Sequence, residues 1–146
     1  MNYHTLVVDD TREKREELAG ILDESIGLPV AAFGSSAEGL AHIRSEAQHI
    51  IAALIDYSFP AEQTKGIELI RALRELNRDC FIALVTSHPQ RSPEYSTRRA
   101  EAAIAGANTA YSTNMTYPRN GFDLLWMELE EKKSKLLETF GLQKGS

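Results

Sequence analysis

The chain has 146 residues, 42% hydrophobic and 25% charged, the profile of one ordinary globular domain with a substantial core. The net charge of −5, with acids and bases interspersed, argues against the basic face of a nucleic-acid binder, and a lone Cys80 rules out a disulfide framework or a thiolate metal site. No apolar run approaches the ~18–20 residues that span a bilayer, and Met1 to Asp10 has no basic leader followed by a long apolar run. The expectation is a cytoplasmic protein with no membrane segment, no signal peptide and no direct contact with nucleic acid.

Short apolar runs alternate with helical patterns along the whole chain. Thr5 to Val8 reads as a first strand, ending on Asp9 and Asp10. A helix follows with Leu18, Ile21, Leu22 and Ile26 on one face, closed by Gly27. Pro29 to Phe33 is a weaker second strand. Ser35 and Glu38 have capping-box spacing and open a helix that turns Leu40, Ile43 and Ala47 inward. Ile50 to Ile55 is a buried third strand that stops on Asp56, with Pro60 four residues on. Gly66 to Asn77 is a helix striped by Leu69, Ile70, Leu73 and Leu76. Phe81 to Val85 is a fourth strand, ending on Thr86 and Ser87. Ser92-Pro93-Glu94 is a helix start, with a cap, a proline in the first turn and an early acid; Gly106 ends that helix. Asn108 to Thr113 is a short fifth strand around Tyr111, and Phe122 to Phe140 is a long last helix.

The regular βα alternation predicts a parallel sheet covered by helices on both faces. With right-handed crossovers, five such units fit the flavodoxin-like doubly wound order 2-1-3-4-5, a three-layer (βα)5 α/β/α domain. Sites in such sheets lie beyond the carboxyl ends of the strands, where the strand order reverses. Strands one and three are neighbours there, so Asp9, Asp10 and Asp56 should share one crevice, with Thr86 and Ser87 alongside. Clustered carboxylates repel unless some protonate or a cation joins them. An all-oxygen set with no His or Cys favours Mg²⁺ over zinc. Acids, a hydroxyl and Mg²⁺ suit phosphoryl transfer, and the lack of a Gly-rich phosphate loop disfavours a nucleotide donor.

These residues resemble the receiver domain of two-component response regulators, the chemotaxis-regulator-like fold. The resemblance rests on Leu6-Val7-Val8-Asp9-Asp10, Leu54-Ile55-Asp56 with Pro60, Gly66-Ile67-Glu68-Leu69, Leu84-Val85-Thr86-Ser87, and Gly106-Ala107 before Tyr111. It implies that Asp56 accepts a phosphoryl group from a phosphohistidine. It implies Mg²⁺ held directly by Asp10, by Asp9 through water, by Asp56 and by the backbone carbonyl of Ser58. Thr86 would hydrogen-bond the phosphoryl group, and Tyr111 would be an aromatic switch that follows Thr86. The partners implied are a sensor histidine kinase or a phosphotransfer protein, with a homodimer through helix four, strand five and helix five as a further arrangement. The chain would be a signalling switch, active only in its own phosphorylation and dephosphorylation, and not a metabolic enzyme.

The sequence also departs from that pattern. The family places a Lys three residues after the strand-five aromatic; Asn114 stands there, an amide without positive charge. Lys65 and Arg119 are other basic residues that could approach the site. The stretches Ala61 to Lys65, Thr86 to Gly106 and Gly106 to Tyr111 are longer than usual. A phosphorylation-independent pseudo-receiver that only binds proteins is therefore the alternative. A haloacid-dehalogenase-like phosphohydrolase is disfavoured, because Asp9-Asp10-Thr11 is not Asp-x-Asp. Read blandly, Asp10 is the N-cap of helix one and Thr86 an ordinary strand-end residue. The domain is expected over 1–130, and 131–146 as an extension of the last helix with a frayed tail. That extension would be either the solvated end of one amphipathic helix or a pairing segment.

Overall fold

The computed structural model describes residues 2–114 and 121–142. Five strands, β1 (His4–Val8), β2 (Val30–Phe33), β3 (Ile50–Asp56), β4 (Phe81–Thr86) and β5 (Thr109–Ser112), form one parallel sheet in the order β2-β1-β3-β4-β5. The helices are α1 (Arg12–Ser25), α2 (Ser36–Glu46), α3 (Gly66–Leu76), α4 (Pro93–Ala105) and α5 (Gly121–Thr139), with a short 3-10 turn at Ala47–His49. Helices α1 and α5 pack together on one face of the sheet, and α2, α3 and α4 follow one another across the other. This is the flavodoxin-like arrangement that the alternation predicts.

The strand sequences explain the two-faced burial. Every residue of β3, Ile50-Ile51-Ala52-Ala53-Leu54-Ile55-Asp56, is buried, as expected for a central parallel strand covered on both sides. From Ala52 on, past a register shift at the start of β3, alternate side chains enter opposite clusters. Ile50, Ala53 and Ile55 join Leu6, Val8, Ile82 and Leu84 on the α2–α4 side; Ala52 and Leu54 join Val7, Ala83 and Val85 on the α1–α5 side. Each fully buried Leu or Ile contributes about 1.5–3 kcal/mol of transfer free energy, so this double-sided strand anchors the domain. Gly39 lets α2 approach β1, since a Cβ there would meet Val8 Cγ2 at 2.8 Å.

Element ends differ from the sequence reading where the backbone decides. Strand β2 begins at Val30, while Pro29, which has no N–H, still supplies its carbonyl to Thr5 N at 2.9 Å. The N-cap position of α1 is Thr11, not Asp10, so the bland reading of Asp10 as the cap does not hold; the Thr11 side chain makes no cap hydrogen bond, and Asp9 Oδ1 accepts the Thr11 N–H at 2.9 Å. Helix α5 runs unbroken past Glu130, with Leu136 and Leu137 half-buried on the α1–α5 cluster and Phe140 edge-on to Tyr3 at 5.7 Å.

A histidine pair joins β1 to α2. His4 Nδ1 donates to Asn2 O at 2.8 Å, so its Nε2 accepts from His42 Nε2–H at 2.7 Å. Burial, and then the neighbouring His4, push the His42 pKa down from its ordinary value. The folded state thus binds fewer protons at His42 than the unfolded chain just below pH ~6.5. Stability is therefore expected to decline as pH falls through that value. Melting curves at pH 8 and pH 5.5 on native and His42→Gln chains check this; an equal loss in both would show that the pair is not responsible.

Candidate functional site

The acids meet at the carboxyl ends of β1 and β3, adjacent strands at the point where the order reverses. Asp9 follows β1 and is fully buried, Asp10 beside it is exposed, and Asp56 ends β3 with 6% exposure. One oxygen from each lies within 4.8 Å of the others. By strand alternation Asp56 continues the face of Ala52 and Leu54, toward α1.

Local packing holds Asp56 at the rim. Gly66, the first residue of α3, sits so close to β3 that a Cβ would overlap the Asp56 carbonyl, and its N–H donates to Tyr57 O at 3.2 Å. The loop between them is tied down by Glu62, whose carboxylate accepts from Ser36 N (2.9 Å), Ser35 Oγ (2.7 Å) and Ala37 N (3.1 Å) at the start of α2. Those hydrogen bonds pull the Glu62 carboxyl down to about 2. Glu62 thus takes up the free N–H groups of the first turn of α2 from the loop, while the N-cap Ser35 Oγ accepts from Glu38 N at 3.3 Å.

Among the described residues, one cation is paired with these acids. Lys14 Nζ, from the first turn of α1, lies 3.1 Å from both Asp9 Oδ2 and Asp56 Oδ1, and donates to Val85 O at 3.3 Å; its side chain is 13% exposed. Burial raises the Asp56 carboxyl to about 6, against the pull of Lys14, with Asp9 and Asp10 adding to the rise. Burial likewise raises Asp9, again opposed by Lys14 and the Thr11 N–H. Asp9 Oδ2 accepts no hydrogen bond despite its ion pair. Three clustered carboxylates, two of them paired with one ammonium and one of those with a buried open lone pair, fit a hard divalent cation.

Ser58 is exposed on the loop two residues beyond Asp56. Thr86 is buried at the end of β4; its Oγ1 accepts from His88 N at 3.3 Å and its carbonyl from Thr113 N at 2.9 Å. Tyr111 requires a correction. It packs with the α1–α5 cluster, whereas Thr86 follows Ile82 and Leu84 on the opposite face, so the sheet separates the two. The β4–β5 register accounts for this, because it sets Tyr111 beside Val85, one residue out of step with Thr86, which pairs with Ser112. Asn114 is exposed, its N–H donating to Ser112 Oγ at 3.1 Å, and Thr113 beside it is also uncharged. Lys65 is spent on the carbonyls of Phe59 (2.8 Å) and Glu62 (2.7 Å); Arg119 lies outside the described residues.

The sequence reading passed over three contributors. Lys14 continues the buried stripe of α1 one turn back from Leu18 and Leu22, and a cation in such a stripe calls for an anionic partner. Tyr57, next to Asp56, receives Arg98 of α4 both over its ring (3.7 Å) and at its hydroxyl (2.6 Å), and donates to Glu101 Oε2 at 3.1 Å. Glu62 carries no sequence signal beyond its place in a lengthened loop.

Comparison with known proteins agrees with this geometry. The response regulator receiver domain model matches residues 5–111, and the chain belongs to that family. A CheY-like response regulator receiver domain protein from Methanospirillum hungatei JF-1 superposes with a TM-score of 0.67 at 29% identity, over 95% of this chain and 99% of that one. A Burkholderia pseudomallei response regulator, solved with a phosphorylated aspartic acid, calcium ion and citrate, gives 0.64 at 22% identity, over 99% of this chain and 76% of that one. A chain of the CheX-CheY-BeF3-Mg+2 complex from Borrelia burgdorferi gives 0.63 at 15%, over 94% of this chain and 89% of that one. No curated protein matches. Among the described residues no helix is long and apolar enough to cross a membrane.

Proposed function

We propose that this receiver domain is a Mg²⁺-dependent phospho-acceptor of a cytoplasmic two-component or phosphorelay system, with Asp56 as the acceptor. The observation that carries this reading is the placement of Asp56: a rim carboxylate at the end of a fully buried strand, clustered with Asp9 and Asp10. Lys14 engages Oδ1, which leaves Oδ2 for in-line attack on the phosphorus of a phosphohistidine. An O–P bond forms, the P–N bond breaks, and the imidazole nitrogen leaves with the electron pair and takes up a proton. Asp10, Asp9, Asp56 and the Ser58 carbonyl are the groups that would hold Mg²⁺, which would offset charge on the phosphoryl oxygens. Thr86 Oγ1 accepts from His88 N and retains its own O–H proton to donate to the phosphoryl group.

The outgoing half of the switch runs through α4. Tyr57 neighbours the acceptor and is held by Arg98 and Glu101, so charge added at Asp56 biases that contact directly. The partners are a sensor histidine kinase or phosphotransfer protein, and the chain acts only on its own phosphorylation state. A pseudo-receiver is the second reading, favoured by an Asp56 already paired with Lys14 and by a Tyr111 turned away from Thr86. Intact-mass measurement after incubation with acetyl phosphate and Mg²⁺ separates the two. Native chain is expected to gain one phosphoryl group and Asp56→Asn none; an unlabelled native chain, beside a labelled control receiver, selects the pseudo-receiver.

A further inference from the structure

We propose that Lys14, projecting from α1, is the cation that holds the phosphoryl group on Asp56. This rests on the phospho-acceptor reading and deepens it. The ammonium bridges Asp9 and Asp56 at 3.1 Å each and touches Val85 O at 3.3 Å, so it already stands beside the acceptor and the end of β4. Its side chain is 13% exposed, and its position in the α1 stripe above Leu18 and Leu22 gives it little freedom to leave. At the end of β5, neither Thr113 nor Asn114 carries positive charge, and Lys65 is engaged in the loop. Among the described residues, Lys14 is the cation paired with these acids.

The chemistry favours a role beyond neutralising the acids. Phosphorylation turns the monoanionic Asp56 carboxylate into an acyl phosphate carrying nearly two negative charges and three terminal oxygens. The oxygen that Lys14 holds at 3.1 Å belongs to the same carboxyl group, so the new oxygens arrive within reach of a small change in side-chain torsion. An ammonium has three donors on a flexible stem and can exchange one partner while keeping the others. The contact with Asp9 is the one to be released, because a divalent cation bound there supplies the same compensation. Lys14 would also carry the response to β4, since it hydrogen-bonds the carbonyl immediately before Thr86.

The test uses beryllofluoride, a phosphoryl mimic that needs no transfer step, titrated at fixed Mg²⁺ into native, Lys14→Gln and Lys14→Arg chains. ¹⁹F NMR reports bound mimic, and Mg²⁺ affinity is measured separately on each chain. Losing one charge-assisted hydrogen bond is expected to weaken beryllofluoride binding about 10- to 100-fold in Lys14→Gln, with Mg²⁺ binding kept or strengthened. Lys14→Arg is expected to recover most of the binding. Circular dichroism melting confirms that each chain is folded at the titration temperature. Native-like beryllofluoride binding by Lys14→Gln with tighter Mg²⁺ binding would overturn the proposal and leave Lys14 a mere counter-charge. Tighter beryllofluoride binding by Lys14→Gln would overturn it as well and make Lys14 a block on the site. If native chain binds Mg²⁺ but none of the three binds beryllofluoride, the phospho-acceptor reading itself fails and takes this inference with it.

Discussion

Gly66→Ala is expected to destabilise the domain by about 3 kcal/mol or more and to disturb phosphorylation at Asp56 in whatever remains folded. A Cβ at position 66 would overlap the carbonyl oxygen of Asp56 and approach its carbonyl carbon at 2.9 Å and Tyr57 Cα at 3.0 Å. All of these are backbone atoms, so no side-chain rotation relieves the clash. Either α3 retreats, opening the contacts of Leu69, Ile70 and Leu73, or the end of β3 shifts and carries the acceptor with it. Both are costly, since β3 is buried on both faces. Urea unfolding gives the stability change, and intact mass after acetyl phosphate gives the functional one. A change below about 0.5 kcal/mol would mean that α3 slides freely on the sheet, contrary to this packing.

Asn77→Ala is expected to cost a similar amount, about 3 kcal/mol or more, without altering the chemistry at Asp56. Asn77 is 5% exposed and satisfies four backbone groups at once. Its Nδ2 donates to Ala47 O (2.7 Å) and Ile50 O (2.9 Å), and its Oδ1 accepts from Asp79 N (3.0 Å) and Cys80 N (3.1 Å). One side chain thereby fastens the starts of β3 and β4 at the end of the sheet remote from the acids. Truncation strands buried donors and acceptors, at about 1–3 kcal/mol for each that water cannot reach. Because the damage lies at the far end of the strands, the folded fraction should label with acetyl phosphate at the native rate. A slowed rate in folded protein would reveal coupling along the strands.

The two substitutions differ in how visible they are beforehand. Gly66 stands in a recognisable Gly-Ile-Glu-Leu stretch at a helix start, so some special role is readable, though not the overlap with Asp56. Asn77 reads only as the end of a helix. Its four bonds link residues up to 30 positions away, and such partners are set by the path of three different elements.

The order of elements, the parallel sheet, the buried third strand and the meeting of Asp9, Asp10 and Asp56 were all determined by the sequence alone. They depend on local rules: side-chain periodicity, helix starts and stops, and strand ends marked by polar residues, with a handed crossover that leaves few topologies. The tertiary structure alone decided the rest. It placed Tyr111 on the α1–α5 face, away from Thr86, because strand side is a parity set by the register, which pairs Tyr111 with Val85. It brought Glu62 to cap α2 and Tyr57 to α4, through a loop whose course no periodicity encodes. And it set Lys14 between two carboxylates, because the first turn of α1 rises directly over the ends of β1 and β3, where a residue from a helix stripe becomes the cation of the site.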